Sequence, residues 1–372
     1  GNISLSLPST KYVTFSGKNQ GLFGIKAISK LGPVDVTTIA SIEKSKKEQS
    51  EWEGGGQSST QQIRDVDWMK NRYFFIHPWF RDGVDTLLTA SPISIPSFYP
   101  LRNGLHSIGD VVVKNFELYK SININDPSSM TGMAYVNPND TTQYASENEE
   151  GSFVLLEQGT NYYVSPDLGF IRVREQVSQD ILGCTFTLED RQTGQTLLEV
   201  GNGPDSAGTN LALMMIKPRN SHPNHSTWPL MFKNVYYLGT SQINSEGFEI
   251  KVINKNSTPV SERDRTSSFT YLTLFGLDSL DENGNRSYDE IIDMDMANIM
   301  NMVDGELMFP ALHPFANGDS LMGGQTSEQL KSQLGTGVMY TSSSSSEING
   351  DHRWMIEAAY TNQSSTINLG FM

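Results

Sequence analysis

Hydrophobic and polar residues alternate in two stretches, one near each end of the chain. In residues 21–44, Phe23, Ile25, Ala27, Ser29 and Leu31 fall on one side, and Leu22, Gly24, Lys26, Ile28 and Lys30 on the other. After Gly32-Pro33 the alternation restarts, with Val34, Val36, Thr38, Ala40 and Ile42 against Asp35, Thr37, Ile39, Ser41 and Glu43. A period of two over about ten residues, twice, around a tight turn predicts a β-hairpin. Strands of soluble domains run about 5–6 residues, whereas those that cross a bilayer as barrel wall run about 9–11. One greasy face and one mixed face fit a wall with lipid outside and a polar lumen inside. A long hairpin of a soluble β-sandwich is the competing reading.

The C-terminal end repeats the pattern. Trp354, Ile356, Ala358 and Tyr360 alternate with Arg353, Met355, Glu357 and Ala359. After Thr361–Ser365, Ile367, Leu369 and Phe371 alternate with Thr366, Asn368 and Gly370. Residues 2–7 read as the end of a further strand. The residues expected to face lipid are Phe23, Ile25, Ala27, Val34, Val36, Ala40, Ile42, Trp354, Ile356 and Tyr360.

Between these ends the strands are short. Asp110–Tyr119, Ser152–Glu157, Asn161–Ser165, Phe170–Val173, Thr185–Glu189 and Thr196–Val200 are separated by turn signals such as Asn137-Pro138-Asn139 and Gln192-Thr193-Gly194. Leu211–Lys217, Phe232–Leu238, Phe248–Asn254, Phe269–Phe275 and Asp304–Phe315 continue the theme. Even spacing of this kind suggests a β-sandwich. Residues 65–80 are rich in aromatics and read as a docking core. Arg81–Ala90 carries Val84, Leu87 and Leu88 on one helical stripe. The expected class is mainly β: long antiparallel strands of a partial outer-membrane β-barrel wall at both ends, flanking a β-sandwich-like soluble insertion with little helix. The expected boundaries are 1–44 for wall strands and hairpin, and 45–107 for a linker and aromatic segment. They continue with 108–320 for the insertion, 321–352 for a flexible linker around the serine run Thr341–Ser346, and 353–372 for wall strands.

Composition narrows the function. The chain has 372 residues, 27 basic and 42 acidic side chains, and a formal charge of −15. That field opposes a nucleic-acid partner. The single cysteine, Cys184, excludes an internal disulfide and a cysteine-rich metal site. Its apolar neighbours suggest a small buried hydrophobe. No apolar run reaches the length of a membrane helix. The chain begins at Gly1 and stops inside a strand-like pattern, so a piece of a longer protein is expected.

Few residues carry candidate chemistry. Asp281, Asn283, Asn285 and Asp289 place oxygen donors around Gly284, as a calcium ion wants. The spacing is not that of an EF-hand, and an acidic surface turn explains the same residues. His222-Pro-Asn-His225 offers two imidazoles, but Pro223 prevents a helical pair and no third ligand is close in sequence. No nucleophile elbow or phosphate loop is present. The sequence makes no positive case for an enzyme.

Several runs resemble the SprA/Sov family of the type IX secretion system. They are GNISLSLPST, LFGIKAISKLGPVDVTTIASIEKSKK, Asn71-Arg72-Tyr73-Phe74-Phe75 with Trp79-Phe80-Arg81-Asp82, and Gly159–Tyr163 with Gly169-Phe170-Ile171. The clearest is Trp228-Pro-Leu-Met-Phe-Lys-Asn-Val-Tyr236, followed by Gly276-Leu277-Asp278, Met308-Phe309-Pro310, His313-Pro314-Phe315 and Asn362–Phe371. Phe232 stands where the family pattern has Met, and His313 where it has Glu. The resemblance implies a non-catalytic internal fragment of a giant outer-membrane β-barrel translocon that exports folded proteins and is associated with gliding motility. It implies secreted protein cargo, the lipid bilayer and other outer-membrane secretion subunits as partners. A secreted or surface β-sandwich module for adhesion or carbohydrate binding is the alternative.

In the barrel reading the tight turn Gly32-Pro33 is periplasmic, because such barrels keep short turns on that side. Glu43 then emerges outside the cell, and the insertion follows it there.

Overall fold

A computed structural model describes residues 22–31, 34–43, 58–82, 84–85, 93–94, 111–123, 126–203, 210–257, 259–265, 269–281, 284–285, 287–294, 299–317 and 328–361. The protein is mainly β, and nearly all its strand pairs are antiparallel. The chain divides into two compact units, Gly1–Gly55 and Gly56–Met372.

In the first unit, β1 (Leu22–Leu31) and β2 (Val34–Glu43) pair antiparallel along their whole length. The register sets Phe23 opposite Ile42, Ile25 opposite Ala40 and Leu31 opposite Val34. The apolar positions of the two strands therefore fall in phase. The strand expected at residues 2–7 lies outside the described residues.

The second unit begins with β3 (Ser58–Arg64), β4 (Tyr73–Phe75), helix α1 (Pro78–Asp82) and the short strands β5 (Val84–Asp85) and β6 (Ile93–Ser94). There follow β7 (Val111–Ile122), β8 (Met130–Tyr135), β9 (Glu149–Leu155), β10 (Tyr162–Ser165) and β11 (Phe170–Val173). Next come β12 (Leu182–Asp190), β13 (Thr196–Val200), β14 (Leu211–Lys217), β15 (Val235–Tyr237) and β16 (Glu249–Asn254). The last elements are α2 (Tyr271–Leu274), β17 (Met300–Asn301), β18 (Glu306–Met308), α3 (Glu328–Lys331), α4 (Val338–Thr341), α5 (Ser345–Asp351) and β19 (Trp354–Thr361).

Five of these strands close on themselves. β12 pairs with β14, β14 runs parallel to β8, β8 pairs with β9, β9 with β7, and β7 returns to β12. β13 extends β12 outside the ring. The expected two-sheet sandwich is thus a small closed barrel.

Both faces of β14 are covered, and this explains its unbroken apolar run. Leu211, Leu213 and Met215 turn inward with Tyr119, Ala134, Phe153 and Ile181. Met214 and Ile216 turn outward with Leu118, Cys184 and Phe186, and pack on Phe74, Phe75, Val164 and Ile171 of the β10–β11–β4 sheet. Closure needs close approach and bends. A Cβ at Gly132 would lie 2.6 Å from the Cβ of Leu211, so no larger residue fits the parallel β8–β14 pair as it stands. Register shifts at Leu182/Gly183 and Thr185/Thr187 bend β12, and Asn115 takes a left-handed conformation within β7.

The second core centres on the three-stranded sheet β16–β19–β3. β19 is its middle strand, paired with β16 from Glu249↔Ala359 and with β3 from Ser58↔Thr361. Here a prediction is corrected. Trp354, Ile356 and Tyr360, expected to face lipid, are buried at 0%, 0% and 6% exposure. They pack among Tyr271, Phe275, Phe315 and Leu277. The indole of Trp354 meets Tyr271 and Phe275 edge-on at 4.8 and 5.1 Å. The alternation correctly marked one buried face, but aromatic rings cover it.

Other corrections share this cause. Phe269–Phe275, expected as a strand, forms helix α2, because Thr270 accepts from the Thr273 N–H as an N-cap and Tyr271, Leu272 and Leu274 all find core partners. The expected linker 321–352 is folded across its described part. Leu330, Leu334, Met339 and Tyr340 are buried, and the serine run starts helix α5, where Ser344 caps the N–H of Glu347. The helix expected at Arg81–Ala90 does not form in its described part: helix α1 ends at Asp82, Val84–Asp85 is extended, and residues 86–90 lie outside the described residues. β3, read as a polar linker, is a strand through its pairing with β19.

Candidate functional site

The acidic turn folds around its own side chains. The Asp281 carboxylate accepts the Asn285 N–H at 2.8 Å and its side-chain amide at 3.3 Å, while Asp289 accepts the Ile291 N–H at 2.9 Å. Asn283 lies outside the described residues. Two buried carboxylates clasp the base of this loop. Asp278 accepts from the N–H groups of Asp289 and Glu290 and from Thr273 Oγ1; Asp293 accepts from Ser279 N–H and Oγ and from Leu280 N–H. Burial pushes both carboxyls above the ordinary range. Turn hydrogen bonds thus engage Asp281, Asn285 and Asp289, three of the four residues picked as calcium donors. Among the described residues there is no group of three or more His, Cys, Asp and Glu side chains that could hold a metal ion.

The two loop imidazoles meet edge-on at 5.8 Å. His225 is buried, its Nδ1 lies 2.9 Å from Thr227 Oγ1 and 3.5 Å from Glu147, and burial holds it below the ordinary histidine value. Cys184 is fully buried, and burial pushes its thiol up, out of nucleophile range.

The polar groups that organise the unit escaped sequence reasoning. Asp65 follows β3 and is fully buried. Its Oδ2 accepts the N–H groups of Arg353 and Trp354, each at 2.8 Å, and its Oδ1 meets His352 Nδ1. Burial pushes its carboxyl up, while the two N–H groups and His352 pull it back part way. This clasp stands at the Arg64↔Met355 end of the β3–β19 pairing.

A second buried centre is Glu306 of β18. Arg172 of β11 forks onto it at 2.9 and 3.1 Å and also reaches Asp304 at 2.8 Å. Tyr73 of β4 donates its hydroxyl to the same carboxylate, and Arg72 lies 3.3 Å away. Burial, with the Glu306 charge next, pushes the Tyr73 phenol up, so it stays a donor. These contacts tie the sheet β10–β11–β4 to β15–β18–β17.

Two lysines are buried against carbonyls. Lys217 Nζ bonds the carbonyls of Ser178, Asp180 and Pro218, and burial lowers it to about 8. Lys233 Nζ bonds those of Trp228 and Met231, lies 5.0 Å over the Trp228 ring, and is lowered by burial to about 7. Nothing in a local sequence window distinguishes these lysines from surface ones. Their acceptors are backbone groups fixed only by the fold. The arrangement as a whole is one of clamps between strands.

In comparisons with known proteins, no protein-family model and no curated protein matches this chain.

Proposed function

We propose that the chain is a non-catalytic segment of an outer-membrane β-barrel translocon, with β1–β2 as wall strands and the second unit as a domain carried on a loop between wall strands. The hairpin, with ten residues in each strand, supports this reading, because that is the span a tilted barrel strand needs. The observation that carries it is the Ser58↔Thr361 pairing. The incoming and outgoing strands of the second unit are neighbours in one sheet. A domain whose ends lie together can be inserted into a loop without pulling its host strands apart. The resemblance of the sequence runs to the SprA/Sov family points the same way. Secreted proteins would be the cargo, and other outer-membrane secretion subunits and the bilayer the partners. The loop domain would face the cell exterior.

Trypsin added to intact cells tests this. Cleavage is expected in the basic run Lys44–Lys47, separating β1–β2, which stays with the membrane, from a folded second unit whose new N-terminus follows that run. Recovery of the whole uncut chain in the soluble fraction would overturn the wall assignment and favour a surface module. Cleavage only after the outer membrane is opened would move the domain to the periplasm.

A further inference from the structure

The sheet β16–β19–β3 has two edges, and they are finished differently. The β16 edge carries Glu249 and Lys251 and is bridged to Ser261 at Asn254. The β3 edge lacks the usual guards against strand pairing. From Ser58 to Ile63 it holds no charge and no proline, and its register with β19 runs unshifted, so no bulge turns it aside.

The ladder decides which main-chain groups face outward. The Asp65 N–H donates to Trp354 O at 3.2 Å across the β3–β19 pairing. Successive residues of a strand point their polar groups to opposite sides. Ile63, Gln61 and Ser59 therefore aim N–H and C=O at β19, whereas Gln62 and Thr60 aim theirs away from it. On the other side of β19 the Lys255 N–H donates to Arg353 O, which agrees with this alternation. Among the described residues, the outward main-chain groups of Thr60 and Gln62 have no hydrogen-bond partner. Thr60, Gln61 and Gln62 are all exposed. Gln61 shares a face with Ile63, which is 7% exposed, yet is itself exposed, so the body under the sheet ends short of this edge.

An extended main chain laid along such an edge satisfies its open groups. We propose that β3 pairs antiparallel with β3 of a second copy of this chain, about a two-fold axis at Gln61. In that register Thr60 of each copy lies opposite Gln62 of the other, and the two exchange both N–H and C=O. All the outward groups of Thr60 and Gln62 are then matched, with none left over. Centring the axis on Gln62 instead sets Thr60 against Arg64, whose C=O already accepts the Asp67 N–H at 3.0 Å. The two Gln61 side chains meet at the axis as a closely spaced pair, and an amide carries both the donor and the acceptor its own twin needs. No like charges meet between Ser59 and Ile63. Self-matching about a two-fold is what selects a second copy over an unrelated strand. The chain's charge of −15 opposes the approach, and physiological salt screens exposed charges beyond about 8 Å. One strand pair buries little area, so the dimer is weak, and it grows with protein concentration and with salt. The pairing does not depend on the wall assignment of β1–β2.

The test is register-specific cross-linking of the whole chain, held in detergent so that β1–β2 is covered. The native thiol, Cys184, is fully buried and does not interfere. Under mild oxidation Gln61→Cys is expected to form a disulfide dimer. Thr60→Cys and Gln62→Cys are not, because their twins stand farther apart than the Cα separation of about 7 Å that a disulfide spans. Thr60→Pro, which removes only an outward N–H, should cut cross-linking of the Gln61→Cys chain about tenfold by taking one hydrogen bond from each side of the axis, with thermal unfolding little changed. Gln61→Lys, which sets like charges across the axis, should leave a monomer in sedimentation at concentrations where the native chain dimerises. Equal cross-linking at the three positions, full cross-linking in the presence of Thr60→Pro, a Gln61→Lys dimer as strong as the native one, or no dimer of the native chain at any salt overturns the proposal. A dimer that weakens as salt rises also overturns it, since opposite charges would then be its cause.

Discussion

The β1–β2 hairpin and the β3–β19 ribbon are both antiparallel pairs, yet they become strands for different reasons. The hairpin joins neighbours in sequence, and each strand shows its own alternation. The ribbon joins Ser58 to Thr361, at opposite ends of the second unit. Its β19 half alternates as plainly as β1, whereas β3, SSTQQIR, shows almost no apolar signal. Alternation announces that one face will be covered. It does not announce whether lipid or protein covers it. For Trp354, Ile356 and Tyr360 the cover is an aromatic core, and β3 is held in place by β19 rather than by its own residues.

The sharpest way to break this contrast is to cut the covered face. Trp354→Ala should cost about 3–5 kcal/mol of stability, because a large ring leaves a cavity among Tyr271, Phe275 and Phe315. Thermal unfolding of the second unit reads it. A loss below about 1 kcal/mol would mean that β19 is not core.

The matching change in the hairpin addresses its proposed cover. Ile25→Lys should leave the unfolding of the second unit unchanged and weaken insertion into lipid vesicles by about 2–4 kcal/mol, the cost of a cation at mid-bilayer depth. Unchanged insertion would remove lipid as the partner of that face.

The clasp that closes the ribbon is the next target. Asp65→Asn keeps one oxygen for the N–H groups of Arg353 and Trp354 but replaces the charged oxygen facing His352 with an amide N–H₂, and should cost about 1–3 kcal/mol. It should also change the pH profile. Burial raises the folded carboxyl of Asp65 above its ordinary value. Between those two values the folded state holds more proton than the unfolded one, so this group's contribution falls as pH rises through that window. The advantage of the native protein over Asp65→Asn should therefore widen on acidification toward the ordinary aspartate value. Paired melting curves across that range check the sign.

The smallest effect is expected on the polar edge. Gln62 donates to Glu357 at 2.8 Å across an exposed β3–β19 pair. Gln62→Ala should cost only about 0.2–1 kcal/mol, the worth of one cross-strand contact. A larger loss in urea unfolding would show that β3 holds itself in place more than its sequence suggests.

The sequence alone determined what depends on neighbours along the chain. β1 and β2, Phe170–Val173, Thr196–Val200 and Leu211–Lys217 follow from alternation or unbroken apolar runs bounded by turn residues. The aromatic segment around Tyr73–Phe75 was legible as core for the same reason, since rings of that size are costly to leave in water. Tertiary structure decided everything that depends on distant partners. It closed β7, β8, β9, β12 and β14 into a ring, where Gly132 weakens the strand signal locally but admits Leu211. It turned Phe269–Phe275 into a capped helix and the serine run into the start of another. It made β3 a strand and set β19 beside it inside a core. A side-chain period records which residues want cover, whereas the cover itself, and the acceptors that hold Asp65, Glu306, Lys217 and Lys233, come from chain segments far away in sequence and take position only when the whole unit packs.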